Sequence, residues 1–139
     1  MNDLRPTRDQ MLMDMAIVAA ARGTCSRLRV GAIIASNGRA LSMGYNGVPT
    51  GMQHCNHSMD ESGVGCPNAV HAEANAIVWA ARYGVSTDGC DIFTTHMPCL
   101  GCANLIINAG IIRVVYSVDY RDHSGLDLLT MVGIEVDKL

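Results

Sequence analysis

The 139-residue chain has no apolar run that could cross a bilayer. The longest, such as Met15 to Ala21, is about seven residues against the 18 or more that a spanning helix needs, so no membrane association is expected. Charged residues are only 17%, with 10 Lys and Arg against 13 Asp and Glu and no basic run. A chain that holds nucleic acid through many phosphates is ordinarily basic, so a nucleic-acid partner is not expected. Aromatic residues are scarce, at one Trp, four Tyr and one Phe, which leaves little to stack on extruded bases. The polar, mixed-charge start MNDLRPTRDQ and the interruption by Asp14 lack the pattern of a secretory leader, and the expectation is a cytoplasmic chain. No repeat, low-complexity stretch or Pro/Gly-rich linker divides the sequence, so residues 1–139 are expected to form a single domain. Hydrophobic residues, at 49%, are enough for a core, and six cysteines are too few for a disulfide scaffold. Spaced cysteines in a cytosolic chain point instead to metal binding or catalysis.

Periodicity predicts a first helix from about Thr7 to Arg22, with Met11, Met15, Val18 and Arg22 on one face and Gly23 as its stop. The methionines of that face are expected to fill the core. Val30 to Ala35 and Arg39 to Gly44 read as two strands around Asn37-Gly38, a type I′ hairpin signal. Helices are expected at Ala72–Tyr83, Leu100–Asn108 and Leu126–Met131, and strands at Asp91–Thr95, Arg113–Val118 and Ile134–Val136. This order describes an α/β protein, a three-layer α/β/α sandwich on a mixed five-stranded sheet. Tyr45 to Val70 has no clear period and is long for a passive loop.

The sharpest signal is His71-Ala72-Glu73, followed 26 residues beyond Glu73 by Cys99-Leu100-Gly101-Cys102 behind Pro98. Cys99 and Cys102 stand three apart at the start of a helix, so both thiolates can grip one ion, and the helix N-terminus favours their ionised form. His71 supplies a third ligand, and three protein ligands leave the fourth position of a tetrahedral catalytic zinc for water. Zinc lowers the pKa of such a water to about 7. Glu73, two residues beyond its ligand neighbour, is placed to act as general base and then general acid. A lone C-x-x-C would suit a redox pair or half of a structural zinc site equally well. The joint pattern of H-x-E with P-C-x-x-C is that of the zinc nucleobase deaminases, and it implies one catalytic Zn²⁺.

With these motifs in place, the chain resembles the cytidine and deoxycytidylate deaminase superfamily, and within it the deoxycytidylate (dCMP) deaminases. The resemblance covers nearly the whole chain. It rests on Thr24-Cys25-Ser26-Arg27 leading into Val30-Gly31-Ala32, on Gly44-Tyr45-Asn46-Gly47-Val48-Pro49, on His71 through Ile77, and on Val115-Tyr116 with Asp119-Tyr120. The G-Y-N-G-x-P block is the most particular of these. The resemblance implies a cytidine deaminase-like fold and hydrolysis of dCMP to dUMP and ammonia, feeding thymidylate synthesis. The alternatives are a tRNA adenosine deaminase or another free nucleobase or nucleoside deaminase. By position, Arg27 would meet the 5′-phosphate, Asn46 the deoxyribose or base, and Ala72 the substrate beside Glu73. Tyr120 would close over the phosphate end, with Arg121 and His123 adding positive charge. Asn75 either reaches the sugar or holds local structure.

The resemblance carries further expectations. Some dCMP deaminases hold a second, structural zinc, for which this chain offers Cys25, Cys55, Cys66 and one of His54 or His57. Cys90 has no evident partner and reads as core. Many family members are hexamers activated by dCTP and inhibited by dTTP, with the effector near the G-Y-N-G loop. Gly44, Asn46 and Gly47 are the corresponding candidates here, and the Trp79 helix and the first helix carry apolar surface for subunit packing.

Overall fold

The computed structural model describes residues 4–25, 27–55 and 68–139. Its elements are α1 (Arg8–Ala20), β1 (Gly31–Ser36), β2 (Arg39–Tyr45), α2 (Ala72–Arg82), β3 (Asp91–His96), α3 (Leu100–Asn108), β4 (Arg113–Val118), α4 (Ser124–Met131) and β5 (Glu135–Lys138). They form one mixed five-stranded sheet in the order β2-β1-β3-β4-β5. β1 runs antiparallel to both β2 and β3, while β3, β4 and β5 are parallel. Asn37 and Gly38, with φ of 51° and 75°, make the tight β1–β2 turn that both residues tolerate.

Alternation along the strands builds the two faces. Ile33, Ala35, Phe93 and Val115 point to α1 and meet Leu12, Met13 and Ala16. Ala32, Ile34, Ile92 and Val114 point the other way and pack with Ala72, Ala76, Ala103, Ile106 and Leu129 of α2, α3 and α4. The sandwich is therefore three-layered, with one helix on one side and three on the other. Cys90 is buried in the second of these clusters, as expected for a core residue.

The face expected for α1 is corrected. Met11, Met15 and Val18 are exposed, and the buried side carries Leu12, Met13, Ala16, Ala19 and Ala20. The helix is apolar nearly all round, so the spacing by itself does not choose a side. Close approach does, because a Cβ on Gly31 of β1 would collide with the Ala16 carbonyl, and only a small-residue face can lie that near the sheet. α1 is further tied to the sheet by Arg113, which hydrogen-bonds both carboxylate oxygens of Asp9 (3.1 and 2.7 Å) and also Asp137 of β5 (2.8 Å). Among the described residues, no helix is long and apolar enough to cross a membrane.

Candidate metal centre and substrate cavity

Two helix N-termini converge where the metal motif predicts them. His71 is the N-cap residue of α2 and Cys99 that of α3. His71 Nδ1 lies 3.4 Å from Cys99 Sγ and 3.3 Å from Cys102 Sγ. Cys99 Sγ accepts the Cys102 backbone N–H, so the thiolate does the work of a helix cap. The three ligand atoms lie within 4.8 Å of one another, close enough to share one ion.

Their electrostatics call for a cation. Hydrogen bonds from Cys102 and His71 bring the Cys99 thiol down to about 4. Cys102 is pushed up, by its hydrogen bond to Cys99 and by burial, and His71 is raised by its contact with Cys99. The pair thus holds one thiolate and one thiol, and both ligate as thiolates only when a soft divalent ion supplies the missing charge. The N₁S₂ donor set suits zinc.

α2 is set against β2 by contacts that place His71 and Glu73. Ser42 Oγ donates to the Ala76 carbonyl (2.7 Å), Asn75 donates to the Tyr45 carbonyl (2.8 Å), and a Cβ on Gly44 would strike the α2 backbone. Because His71 serves the metal, no side chain caps α2, and the first-turn amides near Ala72 are left for a ligand. Glu73 is buried, 4% exposed, and its Oε1 accepts the Thr94 hydroxyl at 2.8 Å.

A cavity of about 530 Å³ opens from this centre, and it takes in Arg27, Asn46, Ala72, Glu73, Tyr120 and Arg121 alongside His71 and Cys99. The residues expected at the substrate and at the metal therefore converge, although they come from five separate stretches of chain. Asn46 also uses its amide structurally, accepting the Val30 N–H (2.8 Å) and donating to the Leu28 carbonyl (2.6 Å), which holds the segment that carries Arg27. His123 stands at the N-cap of α4, outside the cavity lining, and Asn75 faces a second cavity instead of this one. Thr94 and His96 belong to the site without any sequence signal that marked them.

Of the expected second zinc ligands, His57 and Cys66 lie outside the described residues. Cys25 is buried and lines the substrate cavity, whereas His54 is exposed and lines the second cavity. His71, Cys99 and Cys102 are the one metal-ready group among the described residues. Of the effector candidates, Gly44 and Gly47 line the second cavity and Asn46 the first.

A structural zinc is closed by four protein ligands, whereas here three protein ligands stand beside a buried carboxylate at the wall of a cavity, the arrangement of a zinc-dependent deaminase. The sequence agrees at the level of family, since the chain belongs to the cytidine and deoxycytidylate deaminases: the model of the cytidine and deoxycytidylate deaminase zinc-binding region matches residues 6–118. The chain is 39% identical to ComE operon protein 2 of Bacillus subtilis over 136 residues, covering 94% of this chain and 70% of that protein. It is 32% identical to the deoxycytidylate deaminase of Schizosaccharomyces pombe over 97% of its own length but only 45% of the yeast protein's. Among solved structures, the dCMP deaminase of cyanophage S-TIM5, crystallised with dCMP and dUMP, superposes with a TM-score of 0.88. It is 37% identical and is matched over 99% of this chain and 100% of that one.

Proposed function

We propose that the chain hydrolyses dCMP to dUMP and ammonia. The observation that carries this reading is the cavity itself, which joins a zinc-and-glutamate centre to Arg27, Arg121 and Tyr120. A guanidinium matches a phosphate dianion in charge and geometry, and a phenol donates to it, so the lining suits a nucleotide better than a nucleoside. The likeness to deoxycytidylate deaminases and to the S-TIM5 enzyme with dCMP and dUMP supports the choice of base and sugar.

His71, Cys99 and Cys102 would hold a zinc ion, which when bound would supply the Lewis acidity that makes water nucleophilic near neutral pH. The chain's own residues do the rest. Glu73 takes a proton as water adds to C4 of the base and passes it to N3, then takes the proton of the new hydroxyl and gives it to the departing amino nitrogen, so that one C–O bond forms, one C–N bond breaks and ammonia leaves. The first-turn amides of α2 at Ala72 hold the base edge, while Arg27, Asn46 and Tyr120 fix the sugar and phosphate. Leu28, Val30 and Met97 give the cavity apolar walls that would limit bulk water around a bound base.

The test is ammonia release from the purified, zinc-loaded protein offered dCMP, deoxycytidine, dCTP and an adenosine-bearing tRNA anticodon stem. Turnover of dCMP at a kcat/KM roughly 100-fold or more above that of deoxycytidine is expected, the worth of about 3 kcal/mol of phosphate contact. Equal rates on nucleoside and nucleotide, or action on the RNA alone, overturns the reading.

The same reading extends to a cytoplasmic homo-oligomer, a hexamer, activated by dCTP and inhibited by dTTP. The second cavity, between Gly44, Gly47, Trp79 and Tyr83, is its candidate effector site. A rate curve that is sigmoidal in dCMP and becomes hyperbolic with dCTP supports this, and a curve indifferent to either effector removes it. The second, structural zinc is proposed with it, and metal analysis giving one zinc per fully active chain removes that site.

A further inference from the structure

β3 ends in Thr94-Thr95-His96, directly before the metal loop, and none of the three is part of the zinc motif. Their side chains are wired in a definite order. The Gly31 backbone N–H donates to Thr95 Oγ1 at 3.2 Å, and Thr95 Oγ1 lies 2.9 Å from His96 Nδ1. With one lone pair taken by Gly31, the Thr95 hydroxyl still has its proton to give to Nδ1, and in that arrangement the ring proton sits on Nε2. With Nδ1 turned to Thr95 and the residue lining the substrate cavity, Nε2–H is the polar atom of this ring left for a ligand.

His96 and Glu73 line the same cavity. The Thr94 hydroxyl lies 2.8 Å from Glu73 Oε1 and 3.1 Å from the His96 carbonyl, so His96 and the glutamate share one anchoring residue. Burial lowers the basicity of the imidazole against the opposing effect of Glu73, which favours the neutral ring. A pyrimidine offers such a donor one acceptor that cytosine and uracil have in common, the O2 carbonyl oxygen.

We infer that Thr95 donates to His96 Nδ1 and that His96 is a substrate-positioning residue whose Nε2–H, held in place by that contact, donates to the O2 carbonyl of the bound pyrimidine. This rests on the proposed action on dCMP. Because O2 is unchanged by the reaction, the contact holds substrate and product alike. It acts on binding and leaves the chemical step to Glu73.

The test has two independent arms. In the first, ¹⁵N-resolved NMR of the zinc-loaded wild-type protein is expected to give an unprotonated Nδ1 and a protonated Nε2 for His96, and Thr95→Val is expected to release that tautomer. A protonated Nδ1 in the wild type overturns the wiring. In the second, His96→Leu should raise KM for dCMP and Kd for dUMP about tenfold each, the worth of one hydrogen bond, with kcat changed less than about twofold. His96→Gln, which keeps a neutral N–H donor, should recover most of the loss. An unchanged KM and Kd in His96→Leu, or a fall in kcat alone, overturns the contact. Wild-type protein inactive on dCMP but retaining the Nε2–H tautomer overturns the proposed function and the pyrimidine contact together, while the relay stands.

Discussion

The Thr94 hydroxyl is 2.8 Å from Glu73 Oε1, and neither side chain is open to solvent. A buried carboxylate has its rotamer set by the few groups that donate to it, here the Thr94 hydroxyl and the neighbouring Cys102 thiol, and catalysis depends on where its oxygens point. Thr94→Val keeps the shape and removes the hydroxyl. Steady-state kinetics should give a kcat about tenfold lower with KM within twofold, and Thr94→Ser should recover most of it. An unchanged kcat would show that the carboxylate is aligned without Thr94.

Glu73→Ala separates metal binding from proton transfer. Glu73 is not among the three ligand atoms that cluster, so zinc content should remain at the wild-type level, while turnover falls by about 10²–10⁴, the usual worth of a positioned acid and base. Metal analysis and ammonia release on the same preparation check both halves. Loss of the metal would mean that Glu73 holds the site together.

Two glycines near the metal should respond in opposite ways. A Cβ on Gly125 of α4 would press on the Pro98 carbonyl and the Cys99 backbone, which have no room to give, so Gly125→Ala should weaken zinc about tenfold or more in a chelator competition. A Cβ on Gly101, between the two cysteines, would find only Cys99 Sγ at 4.0 Å. Gly101→Ala should therefore leave zinc affinity alone and raise helix stability by about 0.5–1 kcal/mol.

Arg113 joins α1 to three strands, and its loss should show a defined dependence on pH. Its hydrogen bonds hold the Asp9 carboxyl below the ordinary value, so this pair contributes stability above the unfolded carboxyl pKa of about 3.9 and loses it as pH falls through the lower folded value. Asp91 beside it is raised by burial and works against this, while Arg113 itself stays charged throughout. Because Arg113 is mostly buried but its partners are more exposed, Arg113→Met should cost about 1–2 kcal/mol near pH 7. Thermal melts should show the gap to wild type beginning to narrow at about pH 4 and closing only as pH falls through the lower folded value of Asp9. A gap of the same size at every pH across that range would assign the loss to packing on Phe93 instead.

Much of the fold was legible in the sequence because its signals are local. Asn37-Gly38 dictates its own turn, Gly84 and Gly110 follow the helices they end, and the expected bounds of Leu100–Asn108 and Arg113–Val118 are those of α3 and β4. The metal centre was legible for the same reason, since Cys99 and Cys102 share one helical turn and His71 and Glu73 another. The buried face of α1 was not, because it depends on Gly31, which lies beyond the helix in the chain, and on how closely a backbone can approach it. Thr94, His96 and Gly125 escaped as well. Their partners, Glu73, Gly31 by way of Thr95, and the Pro98–Cys99 backbone, are set by strand register and helix packing that no local pattern encodes.

By itself, then, the sequence determined the chemistry: two thiolates, an imidazole and a carboxylate at helix-start spacing specify the parts of a zinc deaminase. Only the tertiary structure decided the reach of the site. It is the parallel pairing of β3 with β4 that brings the stretch from Asp119 to Arg121 alongside His96, and the clamp of Asn46 on Leu28 and Val30 that carries Arg27 to the same cavity. Those contacts join residues far apart in the chain, and a long-range contact has no periodicity to read.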